Sequence, residues 1–151
     1  MARLLVIGGG LAGCEAALKA AEAGVKVRLL EMKPAHFSPA HSSPLLGELV
    51  CSNSLRSADP TSAVGLLKTE MAVIGSAVMS AARATAVGAG KALAVDRERF
   101  SKFLDNAVAA HPNIMRETAL AHSLPYSGLT IVATGPLTVG ALADDLSRLT
   151  G

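Results

Sequence analysis

Gly8, Gly10 and Gly13 stand in the spacing G-x-G-x-x-G, and an acidic residue, Glu31, follows after seventeen intervening residues. Each glycine answers a different steric need: the first a tight turn, the second a close backbone approach to a pyrophosphate, the third close packing of helix on strand. The backbone of Gly9, Leu11 and Ala12 completes the turn, where the first amides of a helix point at an anion. The interval to Glu31 carries the chain down a helix and back along a strand, so that a carboxylate meets a ribose diol. A carboxylate there disfavours the 2′-phosphate of NADP, which leaves FAD or NAD as the ligand.

Two cysteines, Cys14 and Cys51, are the candidate thiols, and neither CxxC spacing nor a Cys/His cluster points to a metal. Cys14 falls on the first helix, where packing is its expected role. Cys51 lies in an irregular stretch beside Ser52, Asn53, Ser54 and Arg56. Short polar groups next to an arginine can satisfy anionic oxygens of a pyrophosphate or a ring edge. The same residues equally describe a capped turn. Cys51 itself reads either as a reactive thiol or as a small buried hydrophobe. His36 and His41 in the same stretch contact RNA or flavin, or are simply solvated. Asp96 and Arg97 are explained by helix capping and a surface ion pair.

The elements that must position these groups follow from periodicity. Arg3 to Ile7 is a short apolar strand, Leu11 to Ala23 has helical spacing with Glu15, Lys19 and Glu22 on a polar face, and Gly24 stops it. Val25 to Glu31 reads as a second buried strand, completing a βαβ unit. Lys33 to Asp59 has no sustained period and is expected to be a long functional loop. Asp59 and Pro60 open a single helix to about Ala84, with Gly75 inside it for close packing and Met71, Ile74 and Val78 as a core stripe. Val87 to Gly90 breaks the pattern, Lys91 to Val95 is a strand, and Asp96 caps a helix to about Ala110 that Pro112 ends. Ile114 to Glu117 and Leu129 to Thr134 are strands, followed by a helix from about Thr138 to Leu149. Strands alternating with helices predict an α/β, Rossmann-like fold, a parallel sheet flanked by helices, in one domain over residues 1–151.

Composition narrows the partners. Half of the 151 residues are hydrophobic, 17% are charged and the formal net charge is +2, so no strong field marks a nucleic-acid or membrane surface. Aromatic residues amount to 3% with no Trp, which removes the usual stacking platform for unpaired bases. The least charged stretch, Met71 to Ala82, is shorter than the ~20 apolar residues that span a bilayer. A soluble, cytoplasmic chain with free thiols is the expectation.

Leu129 to Gly135, LTIVATG, looks like the second fingerprint strand of FAD-binding two-dinucleotide-fold flavoproteins, with Thr134 and Gly135 beside the cofactor, which tilts the choice towards FAD. The other reading is an ordinary core strand ending in a glycine turn. Pro39 to His41 (PAH) and Glu48 to Arg56 (ELVCSNSLR), continued by Ala63 to Met71, Ala92 to Arg97, His111 to Asn113 and Ala133 to Thr138, closely resemble the FAD- and folate-dependent tRNA uracil-5-methyltransferases. That resemblance spans essentially the whole chain. It implies FAD as cofactor, methylenetetrahydrofolate as one-carbon donor, NAD(P)H as reductant and a T-loop uridine of tRNA as acceptor. In that scheme the flavin N5 carries the methylene and a cysteine thiolate adds to uracil C6, with most of the chemistry belonging to the cofactors. Cys51 matches the cysteine of the family motif and is the catalytic candidate, as a thiol near the flavin or as the base at uracil C5. Members of the family are much longer, with an inserted domain, a second cysteine and a returning C-terminal segment that completes the flavin fold. The fold is therefore expected to be incomplete and the chain inactive alone, with a homodimer or a partner supplying the missing segments. The reading from another class is a stand-alone FAD- or NAD-binding module without methyl transfer.

Overall fold

The computed structural model describes residues 3–125 and 127–151. Its core is a sheet of four parallel strands in the order β6-β2-β1-β7, formed by β1 (Arg3–Ile7), β2 (Lys26–Glu31), β6 (Ile114–Thr118) and β7 (Leu129–Val132). The connection from β1 to β2 is α1 (Leu11–Glu22). Because all four strands run the same way, their carboxyl ends share one edge, and Gly8, Glu31 and Ala133 arrive there together. Such an edge, where successive strands depart to opposite sides of β1, is where α/β sheets bind ligands.

The long excursion from β2 to β6 builds a second unit. β3 (Ser54–Ser57), β4 (Ala86–Val87) and β5 (Ala92–Val95) form a small antiparallel sheet in the order β3-β5-β4. Between β3 and β4 lie α2 (Ala63–Val73) and α3 (Ala77–Ala84), and α4 (Arg97–Ala110) leads from β5 to β6. The last helix is α5 (Ala141–Thr150), which follows Gly140 at φ +67°.

The shared core lies where α1, α3 and α4 meet the parallel sheet. Val6, Val27 and Leu29 from the strands pack with Ala17, Leu18 and Ala21 of α1, Ala81 and Ala82 of α3, and Phe100, Leu104 and Val108 of α4. Fully burying a side chain the size of Leu or Phe contributes about 1.5–3 kcal/mol, so the three such positions on α4 fasten it firmly to β6, α1 and α3, while α1 packs across all four strands. Arg28 on β2 makes two bonds to Glu117 on β6, Nε to Oε2 at 2.7 Å and Nη2 to Oε1 at 2.9 Å, in an exposed pair.

Several expectations are corrected. The single helix over residues 60–84 is two helices meeting at 108°. Gly75 does not pack inside a helix; at φ +76° it takes the left-handed turn after α2, and Ser76 then caps α3 by accepting from the Met79 amide. The cap of α2 is Ser62, accepting from the Gly65 amide, where Asp59 and Pro60 were expected to open the helix. Of the supposed core stripe Val78 is buried, Met71 is partly buried and Ile74 is 75% exposed, because the bend turns the end of α2 outward. The loop over residues 33–59 contains β3, whose antiparallel pairing to β5 is a long-range contact without a local signature. Glu15 is not simply a solvated residue: its carboxylate accepts from Ser76 Oγ and the Ala77 and Val78 amides, so α1 caps α3 from the side. The last helix starts three residues later than expected, after the glycine turn at Gly140. Asp96 caps α4 as expected, accepting from the Arg99 amide at 3.0 Å. No single helix among the described residues is long and apolar enough to cross a membrane.

Candidate functional site

The turn from β1 into α1 is closed on three sides by its surroundings. A Cβ on Gly8, which holds φ +102°, would lie 2.6 Å from the Ala133 carbonyl oxygen after β7. One on Gly13 would overlap the Gly8 carbonyl oxygen, which only a glycine avoids. One on Gly9 would run into the Leu46 side chain and lie 2.8 Å from the Glu31 carboxylate. Gly10 is different: a Cβ there would have nothing within 4 Å. The glycine that the motif assigns to ligand approach is thus the one the protein itself leaves room around.

Gly10 is also the N-cap of α1, without a side-chain cap and with no acidic residue in the first turn. The leading amides of Leu11, Ala12 and Gly13 have no intrahelical partner, since an α-helix leaves its first donors unsatisfied, and they carry the positive end of the helix dipole. An anion such as a pyrophosphate fits this arrangement. Glu31 lies beside it at the end of β2, 5% exposed, with Oε2 accepting from the Gly9 amide at 2.6 Å and Oε1 from the Lys33 amide at 3.0 Å. Each oxygen keeps a further lone pair, the valence a ribose hydroxyl would use. Thr134 and Gly135 follow β7 at the same sheet edge, where Thr134 Oγ1 shares a 2.6 Å hydrogen bond with Thr138 Oγ1 and the Thr138 hydroxyl donates to the Gly135 carbonyl. The Ala133 amide donates to the Ile7 carbonyl at 2.7 Å, holding that turn against β1. The residues present therefore fit a dinucleotide.

Gly8, Gly9, Gly10, Leu11, Ala12, Gly13, Glu31, Thr134 and Gly135 are brought to one edge. Cys51, Ser54 and Arg56 are not part of that cluster; they belong to the second unit. Cys51 is exposed and reduced. With Ser52 and Asn53 it lines an open depression of about 560 Å³ that Val87, Val95 and the start of α4, Asp96, Arg97 and Glu98, also line. The Ser54 amide donates to Ser52 Oγ, and the Ser54 hydroxyl accepts from the Arg56 amide, contacts of the kind the capped-turn alternative describes. Arg56 is exposed and takes φ +67°, the left-handed region that disfavours a side chain. Cys14 is the opposite kind of thiol. It is fully buried and donates to the Gly9 carbonyl at 3.3 Å. Burial, with the charges of Glu31 and Asp105 adding to it, pushes its thiol up to about 12, so it packs and does not react. His36 is exposed, and His41 Nδ1 is engaged by Ser38 Oγ at 2.6 Å. No cluster of three metal-ligating side chains occurs among the described residues.

Sequence reasoning missed the strap that backs the glycine turn. Leu46 is fully buried, and the Gly47 amide donates to the Gly9 carbonyl at 2.8 Å. The strap is tied to α4 by the Leu46 amide on Asp105 Oδ1 at 3.1 Å and by Ser101 Oγ on the Gly47 carbonyl at 3.3 Å. Lys33, expected only at the start of a loop, is 2% exposed and reaches Glu48 inside it. A lysine followed by Pro after an acidic strand end carries no local signal for this; the partner lies fifteen residues away.

Comparison with known proteins agrees with this geometry. Residues 3–144 match the family model described as glucose inhibited division protein A. The chain is 56% identical over its whole length to a methylenetetrahydrofolate--tRNA-(uracil-5-)-methyltransferase TrmFO of Desulfotalea psychrophila, covering 34% of that protein. It is 56% identical over 97% of its length to the TrmFO of Nitratidesulfovibrio vulgaris strain DP4, covering 31%. The chain thus spans about a third of the length of the curated relatives it matches. Among solved structures it resembles Aquifex aeolicus GidA, with a TM-score of 0.65 at 20% identity over 83% of this chain and 21% of that one. The GidA-related protein of Thermus thermophilus gives a TM-score of 0.56 at 17% identity, covering 99% of this chain and 68% of that one. At these identities the two structures speak for the shared α/β fold. The chain belongs to the glucose inhibited division protein A family, and within it corresponds to the N-terminal part of the TrmFO proteins.

Proposed function

We propose that this chain is the FAD-binding segment of a flavoprotein that methylates C5 of a T-loop uridine in tRNA, with methylenetetrahydrofolate as one-carbon donor and NAD(P)H as reductant. The observation that carries the cofactor part is Gly10, set in open space at the uncapped N-terminus of α1 with Glu31 alongside. The names of the TrmFO relatives support the acceptor and the folate donor. When bound, FAD supplies the redox chemistry by which a folate-derived carbon becomes a methyl group. The chain's own contribution is to hold the pyrophosphate on the leading amides of α1, Leu11 to Gly13, beside the close backbone approach at Gly10, and the ribose on Glu31, which Gly9 orients through its amide, with Thr134 and Gly135 at the adjoining turn. Ser54 and Arg56 remain in the proposed cofactor set as groups of the second unit, where Arg56 offers an exposed cation.

Cys51 is the proposed catalytic thiol. Its exposure and its place in a depression that the start of α4 also lines support access by a substrate. A cytoplasmic site of action belongs to the same reading, since tRNA is met there. Methyl transfer is proposed to draw on segments that a partner supplies, with a second copy as the other candidate to cover the apolar surface; the exposed Leu66, Leu67 and Ile74 of the α2 region support a covered surface.

The test is a spectroscopic titration of the purified chain with FAD and separately with NADH, with Gly10→Asp as control. An aspartate at this N-cap suits the helix and keeps the fold, but places a carboxylate where the pyrophosphate would lie. FAD binding that Gly10→Asp abolishes at unchanged melting temperature supports the reading. NADH binding without flavin binding overturns it. For the thiol, Cys51→Ser in the assembled enzyme should stop methyl transfer while FAD binding persists.

A further inference from the structure

Lys33 and Glu48 form a buried ion pair, with side chains 3% and 10% exposed and Nζ 3.2 Å from Oε2. Neither touches the open side of the glycine turn, yet together they organise everything behind it. Lys33 Nζ also donates to the Leu45 carbonyl at 2.7 Å. The other oxygen of Glu48 accepts from the Ser42 and Ser43 amides at 2.9 and 3.0 Å and from Ser42 Oγ at 3.1 Å. Residues 42–48 are thereby closed into a loop about one carboxylate, with a lysine as its root.

That loop presents Leu46 and Gly47 to the glycine turn. The Gly47 amide holds the Gly9 carbonyl while Glu31 holds the Gly9 amide, so the peptide plane on each side of Gly9 is fixed from a different direction. Lys33 takes part in both restraints, its backbone amide on Glu31 and its side chain on the loop. A buried ion pair adds little net stability against an apolar replacement, so its physical value here is the geometry it imposes.

We propose that Lys33 and Glu48 are positioning residues that preorganise the glycine turn, and that they set the affinity of the dinucleotide site without touching the ligand. This rests on the FAD reading above. With the strap released, the turn samples conformers that cannot receive a pyrophosphate, and the apparent affinity falls in proportion to the competent fraction.

The experiment compares the parent chain with Glu48→Gln and with the double variant Lys33→Met/Glu48→Leu, which restores apolar packing without the strap's hydrogen bonds and guards against simple unfolding. FAD affinity is measured by flavin fluorescence and corrected to the folded fraction. Amide hydrogen exchange at Gly9 and Gly47 is followed without ligand, with α4 as internal reference. The expected result is a Kd for FAD weakened roughly tenfold or more in both variants, with faster exchange at Gly47 and unchanged exchange in α4. Variants that bind FAD as the parent does overturn the proposal and leave the FAD reading standing. A parent chain that binds no FAD overturns that reading, and the ligand-free exchange then decides the positioning role: unchanged exchange at Gly9 and Gly47 in the variants removes it.

Discussion

Cys14 and Cys51 mark two differently built regions. Around Cys14 every neighbour is committed: Gly8, Gly9 and Gly13 have no room for a side chain, the Gly9 carbonyl takes bonds from both Gly47 and Cys14, and only Gly10 faces outward. Around Cys51 the small sheet is three short strands, α2 buries little beyond Gly65, and Leu66, Leu67, Val73 and Ile74 face solvent. The first region is a finished cradle with a single opening. The second is a surface in which a free thiol and apolar side chains lie exposed together. Under the proposed function the contrast has a physical sense: backbone that is to receive a pyrophosphate must be fixed beforehand, whereas a thiol that is to meet a large substrate must be reachable.

The thiols themselves give the largest expected difference. With iodoacetamide at neutral pH, Cys51 should react at the rate of an ordinary exposed thiol and Cys14 only through unfolding, about 10³-fold slower or more. Peptide mapping of the alkylated chain measures both; comparable rates would erase the distinction between the regions. Next comes Gly13→Ala, whose methyl would strike the Gly8 carbonyl, a backbone atom that cannot step aside. A loss of about 3 kcal/mol is expected in urea unfolding, since overpacking a closed site costs of order 1–3 kcal/mol. Gly10→Ala at the neighbouring position meets no atom within 4 Å and should lose only the N-cap preference for glycine over alanine, about 1 kcal/mol or less.

Glu15→Ala probes the seam between the regions, because it removes the carboxylate that caps α3 from α1. Losing a helix cap costs typically ~1 kcal/mol, and the same unfolding assay should show that order of loss. The smallest effect is expected from Leu67→Gln on the exposed side of α2, within about ±0.5 kcal/mol. A larger loss would mean that α2 has a core of its own. Acid titration sharpens the strap's role. Burial opposes ionisation of Glu48, but the Ser42 and Ser43 amides and Lys33 outweigh it and hold its carboxyl below the usual 4.5. A depressed carboxyl stabilises the fold above its unfolded value and loses that contribution as pH falls below about 4.5 towards the folded value. Glu48→Gln should therefore flatten the acid limb of stability below about pH 4.5 while leaving the neutral region parallel to the parent, as followed by circular dichroism.

What could be read from the chain follows the range of the interactions. The β1-α1-β2 unit and the glycine turn with Glu31 beside it were legible because glycine spacing, helical period and the acidic strand end all lie within residues 3–31. Asp96 was legible as a cap for the same reason. The bend at Gly75 was not, because Glu15, which holds the start of α3 just after it, lies sixty-one residues from Ser76 in sequence. The strap is the clearest case: residues 42–48 show no period, and what shapes them is Lys33, Asp105, Ser101 and Gly9, none of which is adjacent in sequence. β3 was hidden likewise, since four residues with an irregular register become a strand only by pairing with β5.

The position of β1 at the centre of the parallel sheet has a consequence during synthesis. One side of β1 pairs with β2, which is made almost at once, but the other pairs with β7, in the register Leu4 to Leu129. At ribosomal rates of about 5–20 residues per second, that edge waits roughly 6–25 s for its partner. Through this interval a nascent chain bearing Leu4, Leu5, Val6 and Ile7 offers an unpaired strand edge to any neighbouring strand.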